Sequence, residues 1–234
     1  MAFGLTRAPG TFQGAMNETL APVLRKCALV FYDILVYSKT WDDHLQDLQS
    51  VLQLLHKAQW QVKMSKCAFG QQSVAYLGHV ISKEGVATDD SKIAIIKKWP
   101  VPLNVKDVRS FPGITGYYRK FIRHYGVISK PLSSFLRKGN LFICTQVEEE
   151  AFQTMKKALI TALVLALPDF SKVFILETDA SDNGIGVVLI QDNHPLAYFS
   201  KALGPKTRTL SVYENEYLAI LLAVEHWSPY LQLK

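Results

Sequence analysis

Apolar residues recur at helical spacing over residues 42–56, where the sequence reads DDHLQDLQSVLQLLH. The apolar positions are Leu45, Leu48, Val51, Leu52 and Leu55. This pattern predicts an amphipathic α-helix whose N-cap lies near Thr40 or Asp42. The preceding residues 29–38 are apolar on both sides of Asp33, which predicts a buried strand pair or hairpin.

The middle of the chain changes from short strands to short helices. Residues 63–85 contain short apolar segments and glycines around Tyr76-Leu77-Gly78-His79, a pattern typical of short strands joined by turns. Between residues 89 and 138, prolines interrupt the apolar segments, so we expect several short helices there. Charge sign and composition change near residues 138–140, which we interpret as a linker.

The rest of the chain predicts a helix, three strands and a final helix. Residues 148–163 have the apolar spacing of an amphipathic helix. The strands are predicted at residues 173–178, 184–191 and 195–199. The first of them is expected to end at Asp179. Ser211 and Glu214 form an S-x-x-E capping box, so the final helix begins there and runs to about Trp227.

The composition is that of an ordinary folded protein, with 234 residues, 49% hydrophobic and 20% charged, enough for one or two domains. No apolar run approaches the ~20 residues needed to cross a bilayer. The N-terminus lacks the layout of a signal peptide. The three cysteines are widely spaced and indicate neither a disulfide framework nor a zinc site. We therefore expect a soluble, intracellular protein without a membrane partner.

Positive charge is concentrated in the first part of the chain. Residues 1–140 hold 19 Lys and Arg against 9 Asp and Glu, whereas residues 141–234 hold 7 against 11. Residues 92–138 contain 11 basic residues and a single acid, Asp107. Aromatic residues lie among them, and a basic segment of this kind suits a nucleic-acid backbone. The alternative is a solvated helical surface whose aromatic residues face a core.

Three carboxylates stand out from their surroundings. Asp179 follows an apolar strand, Asp33 interrupts an apolar segment, and Glu216 lies in the second turn of the final helix. The residues four, seven and eleven positions after Glu216 are Ile220, Ala223 and Trp227. Glu216 is therefore expected on the apolar face, where an uncompensated carboxylate is costly and a divalent cation would compensate it. The alternatives are a turn aspartate, a satisfied buried aspartate and a glutamate stabilised by the helix dipole.

Several longer runs make the chain recognisable. They are MAFGLTRAPGTFQ at 1–13, FYDILVYS at 31–38, SKCAFG at 65–70, VAYLGHVIS at 74–82, TGYYRKFI at 115–122, LPDF at 167–170, ETDASDNGIGVVLIQ at 177–191, AYFSKAL at 197–203 and LSVYENEYLAI at 210–220. In order and spacing these runs resemble the Pol polyprotein of Gypsy-class LTR retrotransposons, from the reverse transcriptase into an RNase H domain.

For the reverse transcriptase, the resemblance implies roles for individual residues. Phe3 and Gly4 match the segment that packs against the incoming dNTP, and Asp33 matches one of the paired metal-binding aspartates. The primer-grip hairpin corresponds to Tyr76, Leu77, Gly78 and His79. The thumb, which holds the template–primer backbone, corresponds to the basic residues 92–138, with Lys97, Lys98, Arg119 and Lys120 among its phosphate contacts.

For the RNase H domain, Asp179 and Glu216 match the first two catalytic acids. Together with Asp33 they suit two-metal phosphoryl transfer, with Mg²⁺ as cofactor and an RNA–DNA hybrid or a DNA/RNA template–primer as partner. The resemblance implies an α+β fold. Residues 1–90 are expected to form part of a palm, residues 91–140 a helical thumb or connection, and residues 141–234 a truncated RNase H-like mixed α/β domain.

Both catalytic sites are expected to be incomplete in this chain. Two Mg²⁺ ions about 3.5–4 Å apart repel each other and need several carboxylates. The family's earlier aspartate motif would precede Met1, and its third RNase H acid would follow Lys234. The aspartate pair is reduced as well, because either Tyr32 replaces the first aspartate or one aspartate is deleted. Other Pol segments would have to supply the missing acids.

Three hypotheses about function follow. The chain is an enzyme fragment whose activity is lost or depends on other segments, a non-enzymatic nucleic-acid binder, or a degenerate remnant that folds poorly. Primer extension separates the first hypothesis from the others. Salt-dependent binding tests the second, and a cooperative thermal transition would contradict the third.

Overall fold

The computed structural model describes residues 8–31, 33–137, 142–204, 207 and 210–232. The candidate nucleotide-binding residues Phe3 and Gly4, Tyr32 and the expected linker at 138–140 lie outside the described residues. Contacts divide the chain into two compact units, Met1–Gln71 and Gln72–Lys234. The predicted division into three domains, with boundaries at residues 90 and 140, stays a prediction. It was drawn from family resemblance, whereas the two compact units are defined by contacts.

The first unit packs two helices around a small hairpin. Its elements are α1 (Ala8–Leu20), β1 (Ala28–Val30), β2 (Ile34–Val36) and α2 (Trp41–Lys57), with a 3-10 turn at Met64–Lys66. Thr40 caps α2 by accepting a hydrogen bond from the N–H of Asp43 at 3.1 Å. Met16, Leu20 and Leu55 are buried in the core that joins the helices to the hairpin. The predicted α2 and strand pair are therefore present.

The second unit begins with a small sheet and a group of helices. The strands β3 (Ser73–Tyr76), β4 (His79–Ser82) and β5 (Gly85–Thr88) are antiparallel, in the order β3-β4-β5. The helices are α3 (Asp90–Lys97), α4 (Val105–Tyr117), α5 (Tyr125–Ile128), α6 (Lys130–Ser134) and α7 (Gln146–Ile160), with a 3-10 turn at Arg119–Phe121. Their core is centred on Phe111 and Phe152, whose rings are 4.5 Å apart.

A second sheet and a long helix complete this unit. The strands β6 (Ile175–Ser181), β7 (Gly184–Gln191) and β8 (His194–Ala202) are antiparallel, in the order β6-β7-β8, and α8 (Val212–His226) and α9 (Ser228–Leu231) follow. Asp192 and Asn193, both at positive φ, form the two-residue turn between β7 and β8. The predicted capping box is present, since the Ser211 hydroxyl accepts from the Glu214 N–H and the Glu214 carboxylate accepts from the Ser211 N–H.

The mixture of helices and antiparallel sheets gives the α+β fold that the sequence predicts. One boundary is wrong. The strand β6 does not end at Asp179 but continues to Ser181, because Asp179 pairs with Gly186 and the turn is only two residues long. Within the part of the chain that the structure describes, no helix is long and apolar enough to cross a membrane.

Candidate nucleic-acid interface and acidic sites

The turn between β3 and β4 is held by two neighbouring tyrosines at the end of α4. Leu77 and Gly78 form this turn with φ angles of 49° and 74°. The Tyr117 hydroxyl donates to the Leu77 carbonyl at 2.6 Å, and the Tyr118 hydroxyl donates to the Gly78 carbonyl at 3.0 Å. These contacts tie the predicted primer-grip hairpin to the predicted thumb.

His79, the first residue of β4, is enclosed by aromatic rings. Tyr117 stacks on it at 5.2 Å, and Tyr118 and Phe121 each approach its ring at 5.5 Å. Its Nδ1 is buried and has no hydrogen-bond partner among the described residues. Burial, and to a smaller extent the positive charge of Lys120, lowers the pKa of His79 to about 4. The ring is therefore neutral at pH 7 and serves as packing.

Two predicted phosphate contacts, Arg119 and Lys120, directly follow the tyrosines. Arg119 is exposed. The Lys120 ammonium lies 5.2 Å from the centre of the Phe121 ring, and burial lowers its pKa. The structure therefore brings Lys120 close to the 76–79 hairpin, whereas the Arg119 charge lies near Tyr125 and His226. The other predicted pair, Lys97 and Lys98, is exposed at the end of α3, a separate element.

Asp33 lies at the tip of the β1–β2 hairpin and is exposed rather than buried. The expectation of a buried acid inside an apolar strand pair is therefore wrong. The two strands are only three residues each, so Phe31 and Asp33 lie in the connection between them. Within it the Phe31 N–H donates to the Asp33 carbonyl at 3.1 Å. At a hairpin tip the carboxylate needs no buried partner, and its role as a metal ligand stays a prediction.

Asp179 projects from the sheet on the face opposite to α8. It pairs with Gly186, which lies between the core residues Ile185 and Val187, and side chains alternate along a strand. On this face His124 Nε2 lies 3.7 Å from the Asp179 Oδ2. The His124 ring covers Gly186 so closely that a Cβ there would lie 2.5 Å from its Cε1.

Two further hydrogen bonds fix the segment that follows His124 to β8 and to Leu203, which directly follows β8. The Gly126 N–H donates to the Ser200 hydroxyl at 2.6 Å, and the Lys130 ammonium donates to the Leu203 carbonyl at 2.9 Å. Ser200 pairs with Gly186 and Gly186 with Asp179, so the Gly126–Ser200 contact lies in the same row across the sheet as Asp179. The helical part of the second unit therefore packs directly against the face that bears this carboxylate.

Glu216 is half-buried, and the apolar face of α8 differs from the predicted one. The buried residues are Asn215, Ala219, Ala223 and Trp227. The last two were predicted, whereas Asn215 and Ala219 take the places of Glu216 and Ile220. Ile220, expected to be buried, is 49% exposed. The prediction holds at Ala223 and Trp227 and is wrong in the first half of the helix, where Asn215, a polar residue, is buried and its Oδ1 has no hydrogen-bond partner among the described residues. Glu216 borders the buried face.

Whether the predicted acids share a metal centre stays a prediction. Within the described residues, no three His, Cys, Asp or Glu side chains lie close enough together to hold a metal ion. Asp179 faces away from α8, the helix that carries Glu216, and Asp33 belongs to the other compact unit. The donor set that is described therefore does not fit a two-metal cage.

Sequence reasoning missed the most informative contacts of this surface. In the sequence, Tyr117 and Tyr118 are two of the aromatic residues among basic ones and part of the TGYYRKFI run, but neither feature indicates that their hydroxyls reach residues 40 positions away. His124 was not singled out. The one available signal was that two tyrosines directly precede Arg119 and Lys120. Neighbouring residues at the end of a helix can point in different directions, so the tyrosines could contact another element while the cations face solvent.

Two family models match separate parts of the chain. Residues 1–81 match the reverse transcriptase (RNA-dependent DNA polymerase) family, and residues 144–234 match the RNase H-like domain found in reverse transcriptase. Both families generally use divalent metal ions. The two families match in the order along the chain that the sequence motifs predict.

Curated relatives cover nearly the whole chain. The Pol polyprotein from transposon 297 of Drosophila melanogaster is 39% identical over 99% of this chain, and that from transposon gypsy of the same organism is 33% identical over 96%. The Tf2-7 polyprotein of Schizosaccharomyces pombe is 34% identical over 99%. The chain spans 22%, 23% and 18% of these relatives, about a fifth of their length.

Solved structures confirm the fold. Foamy viral protease–reverse transcriptase in complex with RNA/DNA hybrid matches 97% of this chain and 31% of its own length, with a TM-score of 0.84 and 22% identity. A complex of the same viral protein with double-stranded DNA matches 95% of this chain and 40% of its own, with a TM-score of 0.85. The sequence and the fold together show that this chain belongs to the Pol polyprotein family of LTR retrotransposons, in its reverse transcriptase and RNase H-like region.

Proposed function

We propose that this chain is the part of a retrotransposon reverse transcriptase–RNase H that holds a template–primer duplex, either an RNA–DNA hybrid or DNA. The observation that carries the proposal is the attachment of the 77–78 turn to Tyr117 and Tyr118, next to Arg119 and Lys120. The backbone turn and the Lys120 cation then lie close together, with Arg119 adjacent to Lys120 in the chain. The similar foamy viral structures, which contain double-stranded DNA or RNA/DNA hybrid, support this choice of partner.

The charge distribution supports the same proposal. The 92–138 segment carries 11 basic residues and one acid, whereas residues 141–234 have an excess of acids. Each phosphate that a cation neutralises releases counterions, and this release makes duplex affinity strongly dependent on salt. Lys120 contributes more per contact than an exposed lysine, because it is already partly desolvated over Phe121.

Neutralising the predicted phosphate contacts should weaken duplex binding. In the full chain, replacing Lys97, Lys98, Arg119 and Lys120 with glutamine removes four cations, and we expect affinity for a hybrid to fall at least ~10-fold near 100 mM salt. The slope of log K against log[salt] should become shallower by about three to four. Fluorescence anisotropy with a labelled RNA–DNA duplex measures both quantities.

A matched control separates specific contacts from net charge. The double variant Arg119→Gln/Lys120→Gln is compared with Lys172→Gln/Lys201→Gln, which removes the same charge from the acidic part of the chain. The first pair should lower affinity and the second should not. Equal losses for both pairs, or an affinity that is flat between low and high salt, would contradict the proposed surface.

Catalytic roles follow from the family and are part of the proposal. By family the activities are RNA-directed DNA synthesis and cleavage of RNA–DNA hybrids. Asp33 is the proposed metal ligand of the polymerase site, and Asp179 and Glu216 are those of the RNase H site, with Mg²⁺ as cofactor. The dNTP would contact Phe3 and Gly4, and other Pol segments would complete the sites. Because the described acids do not fit a two-metal cage, we derive no catalytic step from them.

The chain by itself is expected to bind a primer–template without extending the primer. One carboxylate cannot neutralise two Mg²⁺ ions, and Asp33 belongs to no group of three metal-ligating side chains among the described residues. Extension of a labelled primer on an RNA template, with Mg²⁺ and all four dNTPs, measures this. Extension that disappears in Asp33→Asn would overturn the expectation.

A further inference from the structure

Tyr117 and Tyr118 differ in how they meet the 77–78 turn. Tyr117 is 53% exposed and stacks on His79, whereas Tyr118 is 3% exposed and has its hydroxyl inside the fold. The two rings meet edge to face at 5.0 Å. The two adjacent carbonyls of the turn are thus hydrogen-bonded by two adjacent tyrosine side chains at the end of α4. Only Tyr117 is open to direct contact with a ligand.

The turn depends on these hydrogen bonds for its orientation. Leu77 adopts a left-handed conformation, which a side chain with a Cβ disfavours, so the turn is not fixed by its local sequence alone. Gly78 lies so close to the helix that an added Cβ would be 3.0 Å from the Tyr118 hydroxyl. The hydroxyls therefore hold both carbonyls toward α4.

The same helix end sets the position of the two cations. Arg119 and Lys120 begin the 3-10 turn that directly follows Tyr118. Its last residue, Phe121, packs against both the Lys120 ammonium and the His79 ring. Any movement of the 77–78 turn relative to α4 would therefore change its distance from the Lys120 ammonium.

We propose that Tyr117 and Tyr118 are positioning residues for nucleic-acid binding, which hold the 77–78 turn and the Lys120 cation in one fixed arrangement that fits a duplex backbone. The proposal rests on the proposed function, since it presumes that this surface binds a duplex. Tyr118 carries the argument, because a buried hydroxyl can act on a ligand only through the turn.

The test removes single hydroxyl groups and keeps the rings. Tyr118→Phe and Tyr117→Phe are compared with Tyr125→Phe in the full chain. Tyr125 is a matched control, because its hydroxyl bonds to Thr115 at 3.1 Å within the same unit, away from the turn. Hybrid affinity and its salt slope are measured by anisotropy, and the melting temperature is measured alongside.

We expect Tyr118→Phe to weaken hybrid binding about 3- to 10-fold, the effect of losing one hydrogen bond, and to make the salt slope shallower. Tyr125→Phe should bind as the unchanged chain does. When Tyr118→Phe is combined with Lys120→Gln, the loss of hybrid affinity should be smaller than the product of the two single-variant losses, because both substitutions act on one contact. The Tyr117→Phe variant should lose affinity to a similar extent.

Two results would overturn the proposal. In the first, Tyr118→Phe binds like the unchanged chain; in the second, Tyr125→Phe loses as much affinity as Tyr118→Phe, so that the loss follows general destabilisation. The proposed function fails separately. If Arg119→Gln/Lys120→Gln binds normally, the surface itself is wrong, whereas a loss there with an unaffected Tyr118→Phe removes only the positioning role.

Discussion

Replacing Gly85 with alanine is expected to lower the free energy of unfolding of the second unit by about 3–5 kcal/mol. Gly85 opens β5 with φ +131°, a backbone conformation that residues with a Cβ rarely adopt. A Cβ at this position would fall on the Leu165 carbonyl oxygen and lie 2.9 Å from its carbonyl carbon. These are backbone atoms, and both hydrogen bonds between Val86 and Leu165 depend on this approach.

The comparison that isolates this effect is Gly113→Ala. Gly113 lies inside α4, and an added Cβ there meets no atom within 4 Å. Alanine at this site should stabilise the helix by up to about 1 kcal/mol. Thermal unfolding of the full chain, followed by circular dichroism, should show a fall of roughly 10 °C for Gly85→Ala and a small rise for Gly113→Ala. Equal melting temperatures for the two variants would refute the predicted contact.

Acidification is expected to destabilise the second unit through His79. The pKa of the folded ring is lowered to about 4, while that of the unfolded chain stays near 6.5. As the pH falls below 6.5, His79 binds a proton in the unfolded chain but stays neutral in the folded chain. Stability is therefore lost progressively between pH 6.5 and pH 4. Because His79 is only partly buried, we expect a loss of about 1–2 kcal/mol, less than the full shift would give.

The variant His79→Phe keeps an aromatic ring in the stack and removes the titrating group. Urea unfolding midpoints of the unchanged chain and of the variant are compared at pH 7.5, 6.5, 5.5 and 4.5. The difference between them cancels the other acids and histidines. As the pH falls, the urea midpoint of the unchanged chain should decrease more than that of the variant. A constant difference across this range would show that His79 titrates normally in the folded state.

The sequence by itself determined the elements whose signals are local. The apolar spacing of α2, the capping box of α8 and the strand at Gly184–Gln191 each depend on residues within one or two turns of each other, and the structure contains all three. The protein family could be identified from the order of the motifs along the chain, because that order can be read without knowing how the chain packs. The excess of basic residues over 92–138 likewise needed only counting.

The tertiary structure decided what each functional residue faces. Whether Asp33 is exposed depends on where a short hairpin turns, and the side of the sheet that Asp179 occupies depends on its register with Gly186. In the first half of α8, packing buries Asn215 and Ala219 instead of the predicted Glu216 and Ile220. Such outcomes are set by competition between distant packing partners, and periodicity within one helix or strand does not encode them.

The contacts that support the nucleic-acid surface have the same origin. The tyrosine hydroxyls bond to carbonyls 40 residues away, and His124 reaches Asp179 across an even longer stretch of sequence. Residue types at these positions show that a hydrogen bond or ion pair is chemically available. Only the folding of the helical segment onto the two sheets brings the partners within reach, because burial of apolar surface in the shared core sets those distances.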